Sequence, residues 1–235
     1  MSKITAMSSV STLGEIAECK TGIYSGNNNR FCGFDVSATG GRGRKRAGHI
    51  INWEAQVKND LLSEEEKCNG IADIKNYVPL IKGGHRDVFS KTPWAIRWGR
   101  EDVAFYASNE KARLQNASYY FRKGLAVPMV TSGRISASFM DQAIFDQGVV
   151  GIFPYDEELI DFLLIYLNSD FVANDVKSII NPGTNNSANY IKRIPVPVLK
   201  NSDIEKAHQI ILEAQKNSWG STDRLRQDFI KKLIL

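Results

Sequence analysis

The stretch Glu157–Leu167, EELIDFLLIYL, constrains the fold more than any other part of the chain. It is apolar nearly all round, so a helix built from it has no face to offer to water and must be enclosed in a core. It follows Ala126–Pro154, the clearest β region. Within Arg134–Met140, Ile135, Ala137 and Phe139 alternate onto one face while Arg134, Ser136 and Ser138 share the other. Gln147-Gly148 can turn the chain into the apolar strand Val149–Phe153. Pro154 then breaks that strand, and Asp156 is the expected N-cap of a helix over Glu157–Leu167. Trp94–Trp98 (WAIRW) alternates as a strand does, and Tyr77–Arg86 is a short apolar run ending at Gly83-Gly84. The expected class is α+β: a mixed, twisted β-sheet domain with packed helices and a C-terminal helical segment.

With 235 residues the chain can bury a sizeable core. We expect a domain over residues 1–200 and a helical segment over 201–235. In that segment Ser202 and Glu205 are spaced as a capping box, with Ile204, His208 and Ile211 on one side of the helix that follows. After Gly220 a last helix carries Leu225, Phe229, Ile230 and Leu233 as an apolar stripe, expected to dock a partner, with packing back on the domain as the alternative. Asp60–Lys67 reads as an acidic solvated turn or helix start. The N-terminus lacks an apolar signal core, and no apolar run approaches the roughly 18 residues of a membrane span, so the expected location is cytoplasmic, with no membrane partner.

Enzyme signatures are sparse. Cys19, Cys32 and Cys68 show no CxxC or Cys/His spacing, and His49, His85 and His208 are scattered without carboxylates at ligand spacing. The Gly40-Gly41-Arg42-Gly43 cluster neither follows an apolar strand nor opens an apolar helix, as a phosphate-binding loop does. No GxSxG, HExxH or P-loop occurs. Asn181-Pro182-Gly183 lacks the second proline and the aromatic of the motif with which amino-methyltransferases hold a target amine.

The polar loops are richer. TGIYSGNNNRF (Thr21–Phe31), the basic loop Ser37–Gly48 and NPGTNNSAN (Asn181–Asn189) gather amides, guanidiniums and hydroxyls. An asparagine or glutamine amide fits the adenine edge, arginine fits guanine, and serine or threonine reaches bases or phosphates. Glycines let backbone N–H groups approach phosphates. The net charge of +4 and pI near 8.9 are compatible with a nucleic-acid partner. The same residues are also good turn formers, so on composition alone both readings stand.

Four blocks in order carry a family resemblance. Leu13-Gly-Glu-Ile16 followed by Gly22-x-x-Ser25-Gly26-Asn27-Asn28-x-Arg30-Phe31 resembles the opening of the target-recognition domain in Taq-like N6-adenine DNA methyltransferases, phage-exclusion methyltransferases and combined restriction-modification enzymes. Pro79–Gly84 with Arg86 is similar to the next landmark. Ala112-Arg113-Leu114, Tyr120–Gly124 and Thr131-Ser-x-Arg134 are similar to the third, and Asn181-Pro-Gly183 through Ile194–Pro197 to the close. The resemblance spans roughly residues 12–199.

It implies a DNA-reading specificity module that selects target sequence for phage defence and does not catalyse alone. Its partners would be double-stranded DNA and a methyltransferase domain or subunit, which would carry S-adenosylmethionine, with no cofactor in this chain. Tyr24, Ser25, Asn27, Asn28, Arg30, Arg42, Arg44, Lys45, Arg46, Lys82, Arg86, Ser132, Arg134, Thr184, Asn185 and Asn186 are the expected DNA contacts, Arg134 foremost among the base readers, with Phe31 anchoring its loop in the core. The alternatives are a nuclease or other catalytic fragment with an unfamiliar site, and a protein-interaction module without DNA binding.

Overall fold

A computed structural model describes residues 10–38, 45–58, 60–83, 87–131 and 133–234. Their strands are β1 (Val10–Thr12), β2 (Ala17–Thr21), β3 (Cys32–Asp35), β4 (His49–Ile51), β5 (Tyr77–Ile81), β6 (Trp94–Arg97), β7 (Gly124–Pro128), β8 (Ser138–Met140), β9 (Ile144–Phe145), β10 (Val149–Pro154) and β11 (Pro195–Pro197). The longer helices are α1 (Arg100–Ser108), α2 (Leu159–Leu167), α3 (Asn201–Asn217) and α4 (Asp223–Ile234). A four-stranded sheet in the order β2-β10-β7-β8 is antiparallel throughout. A five-stranded sheet, β4-β3-β6-β5-β9, is mixed, with β3·β4 and β5·β9 parallel. β1 pairs with β11 alone. The architecture is α+β.

The sequence of β10, VVGIFP, explains how the layers stack, because every residue in it is buried. Val150 and Ile152 point with Leu125 and Val127 into one core, while Val149 and Phe153 point with Ala126 into another. A strand covered on both faces reads as a continuous apolar run. The first core lies under α2, whose residues Phe162–Leu167 are all fully buried. The second lies between the two larger sheets and holds Phe31, Trp98, Tyr106 and Phe145.

Several boundaries move from their expected places. The Asp156 side chain accepts the Glu158 N–H, but the helix itself begins at Leu159. Only Ser138–Met140 of the expected strand joins a ladder, although Ile135, Ala137 and Phe139 do pack on the first core. The Ser202/Glu205 box does not form. The helix starts at Asn201, where the Asp203 carboxylate accepts the Lys200 N–H at 2.9 Å. At Asp60–Lys67 a true capping box does appear, with Ser63 and Glu66 opening the helix Glu64–Asn69.

The C-terminal stripe turns inward. Phe229, Ile230 and Ile234 of α4 join Ala207, Ile210 and Ile211 of α3 in the first core, with Leu225 and Leu233 half-buried against it.

Candidate nucleic-acid interface

The asparagine loop is built from its ends. Gly22 closes β2 so near β9 that a Cβ there would lie 1.7 Å from the Phe145 carbonyl oxygen, leaving room for glycine only. The Ile23 N–H donates to that same oxygen at 2.9 Å. At the far end Phe31 is fully buried, its ring 5.1 Å from Phe105 and 4.9 Å from Tyr106. Between them Asn27 caps the single turn Asn28–Phe31, its side-chain oxygen accepting the Arg30 N–H at 3.1 Å. The Arg30 guanidinium lies 4.8 Å from the rings of both Phe31 and Phe105, which holds this exposed cation over an aromatic floor.

Asn28 links this loop to the next. Its side-chain oxygen lies 3.2 Å from Ser25 Oγ, 3.4 Å from Cys32 Sγ and 3.5 Å from Lys82 Nζ. Lys82 in turn pairs with Asp146 at 2.9 Å and sits 5.3 Å from the Trp94 ring centre. Burial pushes the Cys32 thiol up to about 11, against the opposing pull of Lys82, so it stays a neutral donor at physiological pH.

The turn Asp146–Gly148 continues the edge. The Gln147 N–H donates to Ile23, and the Met129 N–H donates to the Gly148 carbonyl. Beyond Met129 the chain bridges to the second asparagine loop: Val130 pairs with Asn185, and the Thr131 N–H donates to the Thr184 carbonyl at 3.1 Å. Asn186 closes this junction from inside. It is 3% exposed, and its amide donates to Thr131 Oγ1 at 2.9 Å and to the Pro128 carbonyl at 3.4 Å.

Basic residues fringe the first half of this edge. Lys45 and Arg46 are exposed just ahead of Gly48, where a Cβ would lie 1.8 Å from the Asn29 carbonyl oxygen. His49 Nε2 lies 3.0 Å from the Arg30 carbonyl oxygen. On the other side Tyr24 and Arg113 exchange backbone hydrogen bonds of 3.1 and 2.8 Å, and the Arg113 guanidinium lies 5.4 Å from the Tyr24 ring centre. Lys111 and Arg113 are both exposed. Sequence reasoning left this pair out of the contact set because only the fold carries the 109–113 segment to the asparagine loop.

The expected contacts therefore separate. Tyr24, Asn27, Asn28, Arg30, Lys45, Arg46, Lys82, Thr184 and Asn185 lie along one hydrogen-bonded edge. Ser25 and Asn186 are in that edge but buried, their polar groups used to brace it. Arg134 is exposed, yet its guanidinium is engaged by Asp170 at 2.7 Å and by the Asn168 carbonyl at 2.9 Å. Arg42, Arg44, Arg86 and Ser132 lie outside the described residues, as do His85 and the glycine cluster 40–43. His208 pairs with Asp161 at 2.7 Å, far along the chain from this edge. Among the described residues no group of three or more His, Cys, Asp or Glu side chains could hold a metal ion, and no helix is long and apolar enough to cross a membrane.

An edge of this kind offers guanidinium and ammonium groups to phosphates, and amides and hydroxyls to base edges. No protein-family model and no curated protein matches the chain. Two solved structures are similar to it at low identity. One comes from work on complex assembly and conformational transition of the type I R-M system, with 13% identity, a TM-score of 0.42, and coverage of 96% of this chain and 45% of that one. The other is the HsdS subunit from Thermoanaerobacter tengcongensis, with 15% identity, a TM-score of 0.36, and coverage of 96% of this chain and 44% of that one. The chain thus spans less than half the length of either.

Proposed function

We propose that this chain is a DNA target-recognition module that selects sites for an adenine methyltransferase in a restriction-modification system. The observation that carries the reading is the convergence of residues 22–30, 45–49, 82, 111–113, 129–131, 146–148 and 184–185 on one braced edge with exposed cations. Those segments are scattered through the sequence, and turn formation alone gives no reason for them to meet. Exposed Lys and Arg supply affinity by releasing counterions from the duplex, while a few amide contacts supply discrimination. The methyltransferase partner would bring S-adenosylmethionine and the chemistry.

The test is fluorescence anisotropy of the purified chain on mixed-sequence duplexes over a range of salt. Expected is a linear fall of log affinity with log salt, with a slope of about −0.9 for each phosphate neutralised. Absence of any salt-sensitive binding would overturn the reading and favour a protein-interaction module.

A further inference from the structure

At the middle of this edge the turn between β9 and β10 carries an exposed amide, Gln147, whose side chain makes no hydrogen bond among the described residues. The backbone beneath it is held from several directions. The Asp146 N–H donates to the Ile81 carbonyl at 2.9 Å, the Gln147 N–H to the Ile23 carbonyl at 2.8 Å, and the Met129 N–H to the Gly148 carbonyl at 2.9 Å. Within the turn, Asp146 Oδ1 accepts the Gly148 N–H at 2.9 Å, while Oδ2 holds Lys82. Three separate chain segments thus clamp a three-residue turn, and its apex side chain is left with nothing to do inside the fold.

We propose that Gln147 is a base-reading residue, recognising an adenine through its major-groove edge. The inference rests on the DNA-binding reading above and adds a specific reader to it. A glutamine amide offers a donor and an acceptor side by side, the complement of adenine N6 and N7. Discrimination requires the reader to be positioned before the base arrives, and a clamped turn does this, leaving only the glutamine's own torsions to be ordered on binding. Asn27, Asn28 and Asn186 carry the same chemistry but commit their side-chain oxygens or amides to the fold. The exposed amides of Asn29, Asn185 and Gln147 are uncommitted among the described residues, and of these Gln147 stands on the turn that three chain segments clamp.

The experiment is a selection from randomised duplexes by the full 235-residue chain and by Gln147→Ala and Gln147→Glu. A thermal melt of each protein checks that the exposed substitution leaves the fold intact. Wild type is expected to prefer adenine at one position of its site. Gln147→Ala should lose that preference by about 5- to 150-fold, the reach of one bidentate amide contact, with other positions and the salt slope unchanged. Gln147→Glu should move the preference towards cytosine, whose N4 amine a carboxylate accepts. An unchanged sequence preference in Gln147→Ala, a uniform loss over all sequences, or a wild type that binds without any base preference would each overturn the assignment. If wild type binds no duplex in a salt-sensitive way, the DNA reading itself falls, and that outcome is visible before any variant is compared.

Discussion

Asn28 and Asn186 stand in similar asparagine-rich loops and meet different fates. Asn28 stays exposed and links its loop to Lys82, whereas Asn186 is buried and ties Pro128 and Thr131 to the second loop. A buried amide that loses its partners leaves them unsatisfied too, so Asn186→Ala should lower stability by about 1–3 kcal/mol, read as a lower urea midpoint. The Lys82–Asp146 pair behaves asymmetrically for the same reason. Its side chains are only 16% and 17% exposed, and Asp146 also accepts the Gly148 N–H. Asp146→Ala strands both an ammonium and a backbone donor and should cost about 2–3 kcal/mol. Lys82→Met keeps the stem packed against Trp94 and leaves Asp146 bonded to Gly148, so its urea midpoint should fall less. The reverse order would mean that the turn is not braced through Asp146.

At the scale of single elements, the short helix Glu64–Asn69 depends on its first turn. Glu66 accepts the Ser63 backbone N–H and hydroxyl and pairs with Lys58. The Lys58 contact first, then the Ser63 hydrogen bonds, hold its carboxyl down at about 2, against an ordinary 4.5. A carboxylate whose folded pKa is depressed contributes stability that is complete above its unfolded pKa and is lost as pH falls through the folded one. The difference in urea midpoint between wild type and Glu66→Gln should therefore be widest above about pH 4.5 and should close as pH approaches 2. A constant gap would show that the charge on Glu66 contributes nothing. Helix α4 makes a different kind of contribution. Ile230 is 1% exposed in the first core, so Ile230→Ala should cost about 2–5 kcal/mol by opening a cavity. A near-neutral effect would return the stripe to the docking role.

For the whole molecule the decisive quantity is where the cations stand. Arg30, Lys45, Arg46, Lys111 and Arg113 are exposed on the braced edge, while the Arg134 guanidinium is held by Asp170 and Asn168. If the edge meets DNA, Arg113→Ala and Arg46→Ala should each reduce the slope of log affinity against log salt by about 0.9. Arg134→Ala should leave the slope where it was and instead destabilise its own loop. A slope that changes with Arg134 and not with Arg113 would place the duplex on a different face.

What the sequence determined by itself was local. The run VVGIF and the largely apolar EELIDFLLIYL announced a strand and an enclosed helix. Contrary to expectation, the strand does not stop at Pro154 but carries it paired with Ala17, and it is the packing of cores on both faces that leaves the run no polar period. The strand at WAIRW, the turn at Gln147-Gly148 and the anchoring of Phe31 were legible in the same way, each set by a few adjacent residues, although Ala95 and Ile96 are both buried where alternation was expected. The capping box read at Ser202 and Glu205 failed by one or two residues, since Asp203 was as able to cap the helix. The edge itself was decided only by tertiary structure. β2 pairs with β10 and β5 with β9, joining strands that lie far apart along the chain. Those pairings carry Ile23 to Asp146 and Gln147, and related bridges carry Tyr24 to Arg113 and Val130 to Asn185. Which asparagine turns inward and which amide is carried onto a clamped turn follow from those long-range hydrogen bonds, and no local pattern of residues encodes them.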